Sequence, residues 1–485
     1  MPLKIYVILL VELDLKLKNK MSSVVVVGGG IGGLYAAWEL CKKGFSVTVI
    51  EQQKFVGGLS TSIPFSDCLI DIGPHFISLK RDSNITKIIY DLIGEKDIIE
   101  ISSIQNSIKS LFQGQILDES PRLFHAIKTS IVHSMSSFLF SKIFLSKNKS
   151  SDDIEKYLIA LYGNYLFNVW CKPMINQNIG LSNIDLVKKS FEPITFKKIL
   201  SYVLKSNSKK TFEPLQKSKS EMLDCYFRYG MKSIIDSFQS QIIQMGGKIM
   251  LETEIQKIDH NKNKIITYKQ NNNIETINSN IILYSIPLIA SIQWFEYPKN
   301  LKPLIKKTAL NSIMVVLLID TKKLFDGWIL DIYDSSVSFF RIAQQSFLSN
   351  KIAPQNKTLL NVEIKIDEKN ILGAKKDTEI YQKVIEDLKK LKILKNEKII
   401  DYKIIKIKNL YPKKNMEEQN LSEISKYINS HLNEFTLGVS EPDSGRLISE
   451  NNDKTSLGGF YNSLLNSQKI INFILSSEKS EKHKN

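Results

Sequence analysis

The chain has 485 residues, of which 43% are hydrophobic, so it is long enough for two or three domains with packed cores. Its formal net charge of +16 comes almost wholly from lysine. Base recognition and bidentate phosphate contacts favour arginine, and no basic helix or aromatic-lined strand pair stands out. The composition therefore predicts no nucleic-acid partner. The only arginines are Arg81, Arg122, Arg228, Arg341 and Arg446.

The cysteines and histidines are widely separated, with no CxxC pair and no metal-ligand spacing. This pattern predicts reduced, buried thiols in a cytoplasmic protein without a metal site. The apolar run at residues 5–11 is shorter than the roughly 20 residues that span a bilayer. We interpret residues 1–21 as an extension that lies outside the fold. The four cysteines are Cys41, Cys68, Cys171 and Cys225.

A β-α-β unit begins at Val24. Residues 24–27 are a β-branched run, which is typical of a strand buried on both faces of a parallel sheet. Glycines follow directly, and residues 34–43 then carry apolar side chains at helical spacing up to Gly44. Residues 46–50 form a second strand that leads to Glu51. The pattern predicts a dinucleotide-binding domain.

The glycines of this unit make the motif GxGxxG between a strand and a helix. Gly28 permits a tight turn, Gly30 lets the backbone approach a pyrophosphate, and Gly33 lets the helix pack on the strand. The first helical N–H groups, at Ile31 and its neighbours, add partial positive charge. Glu51 is placed to accept hydrogen bonds from ribose hydroxyls and to repel a 2′-phosphate, which disfavours NADP. The unit alone leaves FAD and NAD open.

The remaining elements are predicted from periodicity. Residues 84–223 are mainly helical, and within them 123–145 are apolar with interspersed lysines and histidines. We weigh two interpretations of 123–145: a buried helix of the cap, or an amphipathic surface helix for a lipid-like substrate. The other predictions are a helix at 231–245, a strand at 248–258, a hairpin at 265–268 and 274–277, strands of a second sheet at 313–319, 359–366 and 399–407 with a helix at 378–391 between them, a strand at 436–439 and a helix at 457–475.

The amino-terminal segment resembles the signature of the flavin-containing amine oxidase superfamily, which includes protoporphyrinogen oxidases, phytoene and other carotenoid desaturases and UDP-galactopyranose mutases. The resemblance lies in the run VVVVGGGIGGLYAAWELCKKGFSVTVIEQQKFVGGLSTS. It implies that FAD is the cofactor and that Gly57 and Gly58 lie against its diphosphate. The segment DIGPHF at residues 71–76 is similar to one beside the flavin in several of these enzymes. It makes His75 the one side-chain candidate for catalysis.

Later segments extend the resemblance. FRYGMKSIIDSF resembles the start of the helix that returns to the nucleotide domain, and the strand with Glu254 and Ile255 resembles one whose backbone contacts adenine. The late stretch 438–463 resembles the segment in which a helix points at the flavin pyrimidine. The cofactor-binding residues implied by motif and resemblance together are Gly28, Gly30, Ile31, Gly32, Gly33, Glu51, Gly57, Gly58, Leu59, Ser60, Gly73, Pro74, Glu254, Ile255, Gly438, Leu457 and Gly458.

The predicted fold class is α/β: an FAD-binding Rossmann-like domain of the glutathione-reductase type, a helical cap and a second, mixed-sheet substrate domain. We expect the FAD domain at 22–95, 225–290 and 430–476, the cap at 96–224, the substrate domain at 291–429 and a mobile tail at 477–485.

The resemblance implies an FAD-dependent oxidoreductase that moves a hydride from a small or hydrophobic substrate to flavin N5. A redox-neutral sugar-nucleotide mutase and a non-catalytic flavin-binding relative remain alternatives. Arg228 is a candidate for binding a substrate anion, although a salt bridge in the cap is the simpler interpretation. The expected partner is a small-molecule substrate, and peripheral membrane contact remains open.

Overall fold

The computed structural model describes most of the chain from Ser22 onward. The described residues are 22–73, 75–101, 107–118, 120–144, 152–177, 187–188, 191, 195, 197, 222–260, 264–286, 294, 309–366, 371–412, 435–436 and 459–482. The predicted extension at 1–21 lies outside them.

Strands and helices alternate along the described chain. The strands are β1 (Ser23–Val27), β2 (Ser46–Ile50), β3 (Ser62–Phe65), β4 (Cys68–Asp71), β5 (Ile77–Lys80), β6 (Ile98–Glu100), β7 (Ile108–Phe112), β8 (Gln115–Leu117), β9 (Met222–Phe227), β10 (Lys248–Met250), β11 (Glu254–Asp259), β12 (Lys264–Gln270), β13 (Asn273–Ser279), β14 (Ile281–Tyr284), β15 (Ala309–Ile319), β16 (Ile329–Tyr333), β17 (Arg341–Gln344), β18 (Thr358–Ile366), β19 (Ile399–Pro412) and β20 (Phe435–Thr436). The helices are α1 (Ile31–Lys42), α2 (Asn84–Ile93), α3 (Leu123–Thr129), α4 (Ile131–Phe144), α5 (Ile154–Leu166), α6 (Lys172–Gln177), α7 (Lys232–Gln244), α8 (Asp377–Lys390) and α9 (Gly459–Lys482).

The first sheet is parallel and has the order β10-β2-β1-β14-β20. Its central strand β1 is buried on both faces, as its β-branched sequence predicts. Val24 and Val26 pack into the core beneath α1, α7 and α9, whereas Val25 and Val27 pack toward the three-stranded sheet β11-β12-β13. The predicted Rossmann-like unit and the β12-β13 hairpin are therefore present.

The second sheet has seven strands in the order β19-β15-β18-β17-β16-β7-β8. Strand β15, the second in this order, has alternating side chains: Ile313, Val315 and Leu317 pack in the core that α8 covers. The intervening side chains, with Met314 among them, pack in a separate core with the β3-β4 hairpin. The second sheet thus lies against a hairpin that follows directly from the glycine-rich unit. The predicted strands and helix between residues 313 and 407 are present in this sheet and on its covering layer.

The region predicted as a helical cap, 96–224, also contains strands. Its helices α3 to α6 share one core, but β6, β7 and β8 also fall within 96–224. Strand β7 pairs in parallel with β16, with Leu111 opposite Ile332, and so extends the second sheet. Because the partner strand lies about 220 residues further along the chain, no local pattern marks β7 as a strand.

Two boundaries also differ from the predictions. The strand expected at 248–258 is interrupted, because Glu252 adopts a positive φ of 50° between β10 and β11. The last helix α9 continues through Lys482, into the segment predicted as a mobile tail. Among the helices that the structure describes, none combines the length and apolar character needed to cross a membrane.

The four cysteines are buried and free, as predicted. Burial raises the pKa of Cys41 and of Cys68 from 9.0 to about 11. We expect the folded protein to react with a thiol reagent at pH 8 at least about 100-fold more slowly than the unfolded chain, because a rise of two pKa units lowers the thiolate fraction by about that factor. A colorimetric thiol assay with and without denaturant measures this ratio. Rapid reaction of any thiol in the folded protein would contradict the burial.

Candidate cofactor-binding site

The turn between β1 and α1 is held by two glycines that the fold itself requires. Gly28 has a φ of +96°, and its N–H donates to the Ile50 carbonyl at 2.8 Å. A Cβ on Gly28 would lie 2.5 Å from Cγ2 of Ile286, and one on Gly33 would lie 2.2 Å from the Gly28 oxygen. Both separations are shorter than van der Waals contact, so the close packing of α1 on β1 depends on these glycines.

Gly30 differs from its neighbours because no part of the described chain crowds it. Its φ of −65° is accessible to any residue, and a Cβ there would have its nearest neighbour, the Ser285 oxygen, 3.9 Å away. Gly30 is also the N-cap of α1 and provides no side chain to satisfy the first helical N–H groups. The fold therefore leaves open space beside a helix N-terminus, and a glycine at this position is explained by a ligand that approaches the backbone.

A second glycine turn lies directly against the first. The Gly57 N–H donates to the Gly29 oxygen at 2.7 Å, and Gly30 and Gly57 form an isolated parallel bridge. Gly57 and Gly58 both have positive φ, +104° and +57°, and a Cβ on Gly58 would be 3.5 Å from the Gly30 Cα. Ser60 donates its N–H back to the Gly57 oxygen, which closes the turn. Gly57 and Gly58, which the resemblance places against a diphosphate, are therefore adjacent in space to the glycines of the first turn.

Glu51 directly follows β2 and lies beside these turns. Its carboxylate accepts the Gly29 N–H at 2.7 Å through Oε2 and the Gln53 N–H at 2.8 Å through Oε1. The side chain is only half-buried, and each carboxylate oxygen has a second lone pair, so it keeps capacity for ribose hydroxyls. Glu51 also fixes β11, because its backbone oxygen accepts the Thr253 N–H at 3.0 Å. Glu254 and Ile255 therefore begin their strand close to the predicted ribose position.

The carboxy-terminal helix packs against the start of α1. Ser467 donates its hydroxyl to the Gly32 oxygen at 3.0 Å, and a Cβ on Gly32 would lie 3.1 Å from that hydroxyl. The third turn of α9 thus lies beside the first turn of α1, and the contact of its first residues with the flavin pyrimidine stays a prediction. Gly438, Leu457, Gly458 and Pro74 lie outside the described residues.

The residues present at this site fit an adenosine diphosphate group. Open space at Gly30, free helical N–H groups and a downstream carboxylate are the donor and acceptor set that a diphosphate and a ribose require. The predicted residues Ile31, Gly32, Gly57 and Gly58 lie around this one turn.

His75 joins two turns of the site. Its Nε2 lies 2.7 Å from the Leu59 oxygen and 2.9 Å from the Ile72 oxygen. Because carbonyl oxygens only accept, this nitrogen carries a proton and donates to both. The contact ties the exposed Leu59 to the segment that contains Gly73, which has a φ of +101°. Only Nδ1 remains for the predicted catalytic role, which stays a prediction.

Asp71 begins the DIGPHF motif, and no local feature of the sequence assigns it a role. It is buried, with 1% of its surface exposed, and Oδ1 accepts from Ser62 Oγ at 2.5 Å and from the Met231 N–H at 3.1 Å. Oδ2 accepts from the Tyr226 hydroxyl. Burial raises the pKa of Asp71, while the His75 charge and these hydrogen bonds act in the opposite direction. One carboxylate thus joins β4, β9 and the turn before α7.

The second sheet reaches the same point through two amides. Gln345 Nε2 donates to the backbone oxygen of Asp71 at 3.0 Å and to that of Gly73 at 3.3 Å. Asn361 Nδ2 lies 3.4 Å from the same backbone oxygen of Asp71. The amide oxygen Oδ1 of Asn361 is buried and has no hydrogen-bond partner among the residues that the structure describes. A buried acceptor left unpaired costs free energy, which marks Asn361 for a function beyond packing.

Arg228 lies directly after β9. Arg228 donates to the Lys96 oxygen at 2.7 and 3.1 Å and pairs with Asp97 at 3.2 Å, so it holds the β9 turn. This contact agrees with the interpretation of Arg228 as a salt-bridge residue, which is the alternative to anion binding.

Across the part of the chain that the structure describes, no three His, Cys, Asp or Glu side chains cluster as metal ligands do.

Comparison with known proteins agrees with this geometry. Residues 26–92 match a family model described as an NAD(P)-binding Rossmann-like domain. Phytoene desaturase from Fusarium fujikuroi is 41% identical over 59 residues, which are 12% of this chain; the chain thus spans 10% of that relative's length.

Two solved structures resemble nearly the whole chain. Reduced UDP-galactopyranose mutase aligns with a TM-score of 0.70 at 14% identity, and the match covers 94% of this chain and 96% of the mutase. A putative protoporphyrinogen oxidase from Exiguobacterium sp. 255-15 aligns with a TM-score of 0.62 at 17% identity over 93% and 98% of the two chains. The chain therefore shares the fold of these two proteins. The Rossmann-like domain and the added mixed sheet described above belong to this shared fold, so the predicted α/β fold class is confirmed.

Proposed function

We propose that the chain binds FAD and acts as an oxidoreductase. The observation that carries the proposal is the contact of two glycine turns at Gly30 and Gly57, with open space beside them and Glu51 downstream. A Rossmann-like unit alone would serve NAD equally well. The second turn, which follows Glu51 in the order typical of the amine oxidase fold, favours FAD.

The chain's own residues would divide the work of binding. The N–H groups at the start of α1 would hold the diphosphate, and Gly30 would let it approach the backbone. Glu51 would accept hydrogen bonds from the adenosine ribose and repel a 2′-phosphate. Bound FAD would supply the hydride acceptor that protein side chains lack.

The reacting groups of flavin and substrate would lie beside Asn361 and Glu363, near the contacts of the second sheet with Asp71. This placement is supported by the polar pair Asn361 and Glu363, which lie on the face of β18 opposite its apolar side chains Leu360 and Val362. We infer that Asn361 Oδ1 accepts a hydrogen bond from the flavin or the substrate, since no described residue donates to it. Hydride transfer would then depend on positioning, without a side-chain base.

Replacing Glu51 with glutamine is expected to weaken FAD binding by roughly 10- to 100-fold, because one of the two backbone donors then faces an amide NH₂ and the ribose loses a charged acceptor. Quenching of flavin fluorescence on titration into the apoprotein measures the affinity. The exposed Glu95→Gln is the matched control and should bind as the wild type does. Equal affinities for all three proteins would remove Glu51 from the site.

Anaerobic spectra test the reaction. If the chain is an oxidoreductase, a substrate bleaches the bound oxidised flavin without added reductant; phytoene and protoporphyrinogen are suitable first probes, given the relatives above. Turnover of a UDP-sugar only after dithionite reduction would replace this function with the redox-neutral isomerase. A flavin that no carotenoid, porphyrinogen or amine reduces would indicate the non-catalytic relative.

A further inference from the structure

Helix α4 packs on α5 through small side chains. Ser134 and Ser141 are fully buried, and Ser137 Oγ accepts the Tyr165 N–H at 2.9 Å. A Cβ on Gly163 of α5 would lie 2.4 Å from the Ser137 oxygen, so the two backbones are as close as helices allow. The inner face of α4 is therefore built for close approach, with the hydroxyls of Ser134 and Ser141 bonded to their own helix.

The outer face of the same helix also carries large apolar side chains. Val132 is 75% exposed, Phe140 56% and Ile143 68%, and Leu139 lies beside them at 44%. At helical spacing these residues form one stripe. Phe138 is buried on the inner face together with the serines, so the exposed stripe is additional to the core contacts of the helix. Such contiguous exposed apolar surface marks an interaction site.

The charge of the segment that contains this stripe, residues 120–151, indicates the kind of partner. Residues 120–151 contain no aspartate or glutamate, although the chain has 50 acidic residues in 485. The same segment has five basic residues, among which Lys128 is exposed at the end of α3. An interface between two copies through this face would bring like charges together. An anionic surface would be attracted instead. The five are Arg122, Lys128, Lys142, Lys147 and Lys149.

We propose that the outer face of α4 docks on the surface of an anionic phospholipid bilayer. Val132, Phe140 and Ile143 would enter the headgroup region, and the exposed side chains of Arg122 and Lys128 on the preceding segment would contact lipid phosphates. At 14 residues, α4 lies along the surface and does not cross it. This inference does not depend on the cofactor or on the reaction proposed above.

Co-sedimentation of the full-length protein with vesicles tests the proposal. Vesicles of phosphatidylcholine with about one third phosphatidylglycerol are compared with pure phosphatidylcholine, at low and high salt. The triple variant Val132→Ser/Phe140→Ser/Ile143→Ser removes the stripe. Its matched control, Ile243→Ser/Ile274→Ser/Phe473→Ser, removes side chains that are 53%, 70% and 58% exposed elsewhere. Thermal unfolding confirms that each variant is folded.

The wild type and the control variant should sediment with the anionic vesicles, and the stripe variant should bind at least about tenfold more weakly. Binding should fall in pure phosphatidylcholine and at high salt. A wild type that stays in the supernatant, or a stripe variant that binds like the control, would overturn the proposal. So would a dimer in sedimentation velocity that the stripe substitutions dissociate, because the face would then be a subunit interface.

Discussion

A Gly30→Ala variant is expected to fold normally and to lose most of its affinity for FAD. The backbone at Gly30 suits alanine, and its Cβ would be no closer than 3.9 Å to any described residue, so the cost to folding is at most about 1 kcal/mol for a poorer N-cap. The same methyl group would occupy the space proposed for the diphosphate. A steric conflict of about 1–3 kcal/mol corresponds to roughly 5- to 150-fold weaker binding.

Gly33→Ala provides the contrast within the same motif. Its Cβ would lie 2.2 Å from the backbone oxygen of Gly28, and backbone cannot move aside as a flexible side chain does. We expect destabilisation of at least about 3 kcal/mol or failure to fold. Thermal unfolding and FAD titration of both variants separate the two roles. Unchanged affinity in folded Gly30→Ala protein would mean that no ligand approaches this glycine.

An Asp71→Ala variant is expected to lose at least about 3 kcal/mol of stability. The substitution leaves Ser62, Tyr226 and Met231 with buried donors and no acceptor, and each such donor costs about 1–3 kcal/mol. Asp71→Asn keeps an acceptor oxygen and should be milder. The exposed Asp67→Ala is the matched control. Chemical denaturation measures the free energy of unfolding, and a loss below about 1 kcal/mol for Asp71→Ala would show that the network does not join these elements.

The difference in stability between the wild type and Asp71→Asn should depend on pH, because the pKa of Asp71 is raised in the folded protein. The folded protein holds the proton more tightly than the unfolded chain, whose pKa is near 3.8. The stability from this group is therefore complete below pH 3.8 and is lost as the pH rises toward the folded-state pKa. Measured as a difference from Asp71→Asn, the wild type should lose relative stability with increasing pH in that window. A relative gain would mean that the hydrogen bonds outweigh burial.

The nucleotide unit was predictable because its signals are local. The valine run, the glycine spacing and the position of Glu51 all fall within about thirty residues, and the structure folds them as one β-α-β unit. The β12-β13 hairpin was predictable for the same reason, since Asn271 and Asn272 take the positive φ values that its turn requires.

The Asp71 network was not predictable, because its members are far apart in the chain. Tyr226 is 155 residues from Asp71, and Gln345 is 274 residues away. A single carboxylate in an apolar strand has no local feature that names its partners. Asn361 did leave a signal, since it interrupts the apolar strand 358–366 on one face, but only the sheet topology shows that this face meets Asp71.

The identity of the molecule that the purified chain carries tests the central claim most directly. Denaturation of the full-length protein, followed by mass spectrometry of the released compound, should yield about one FAD per chain. The apoprotein should then take up FAD in preference to NAD and NADP. A colourless protein that takes up no FAD, or one that releases a nicotinamide dinucleotide, would contradict the assignment of the two glycine turns to a flavin diphosphate.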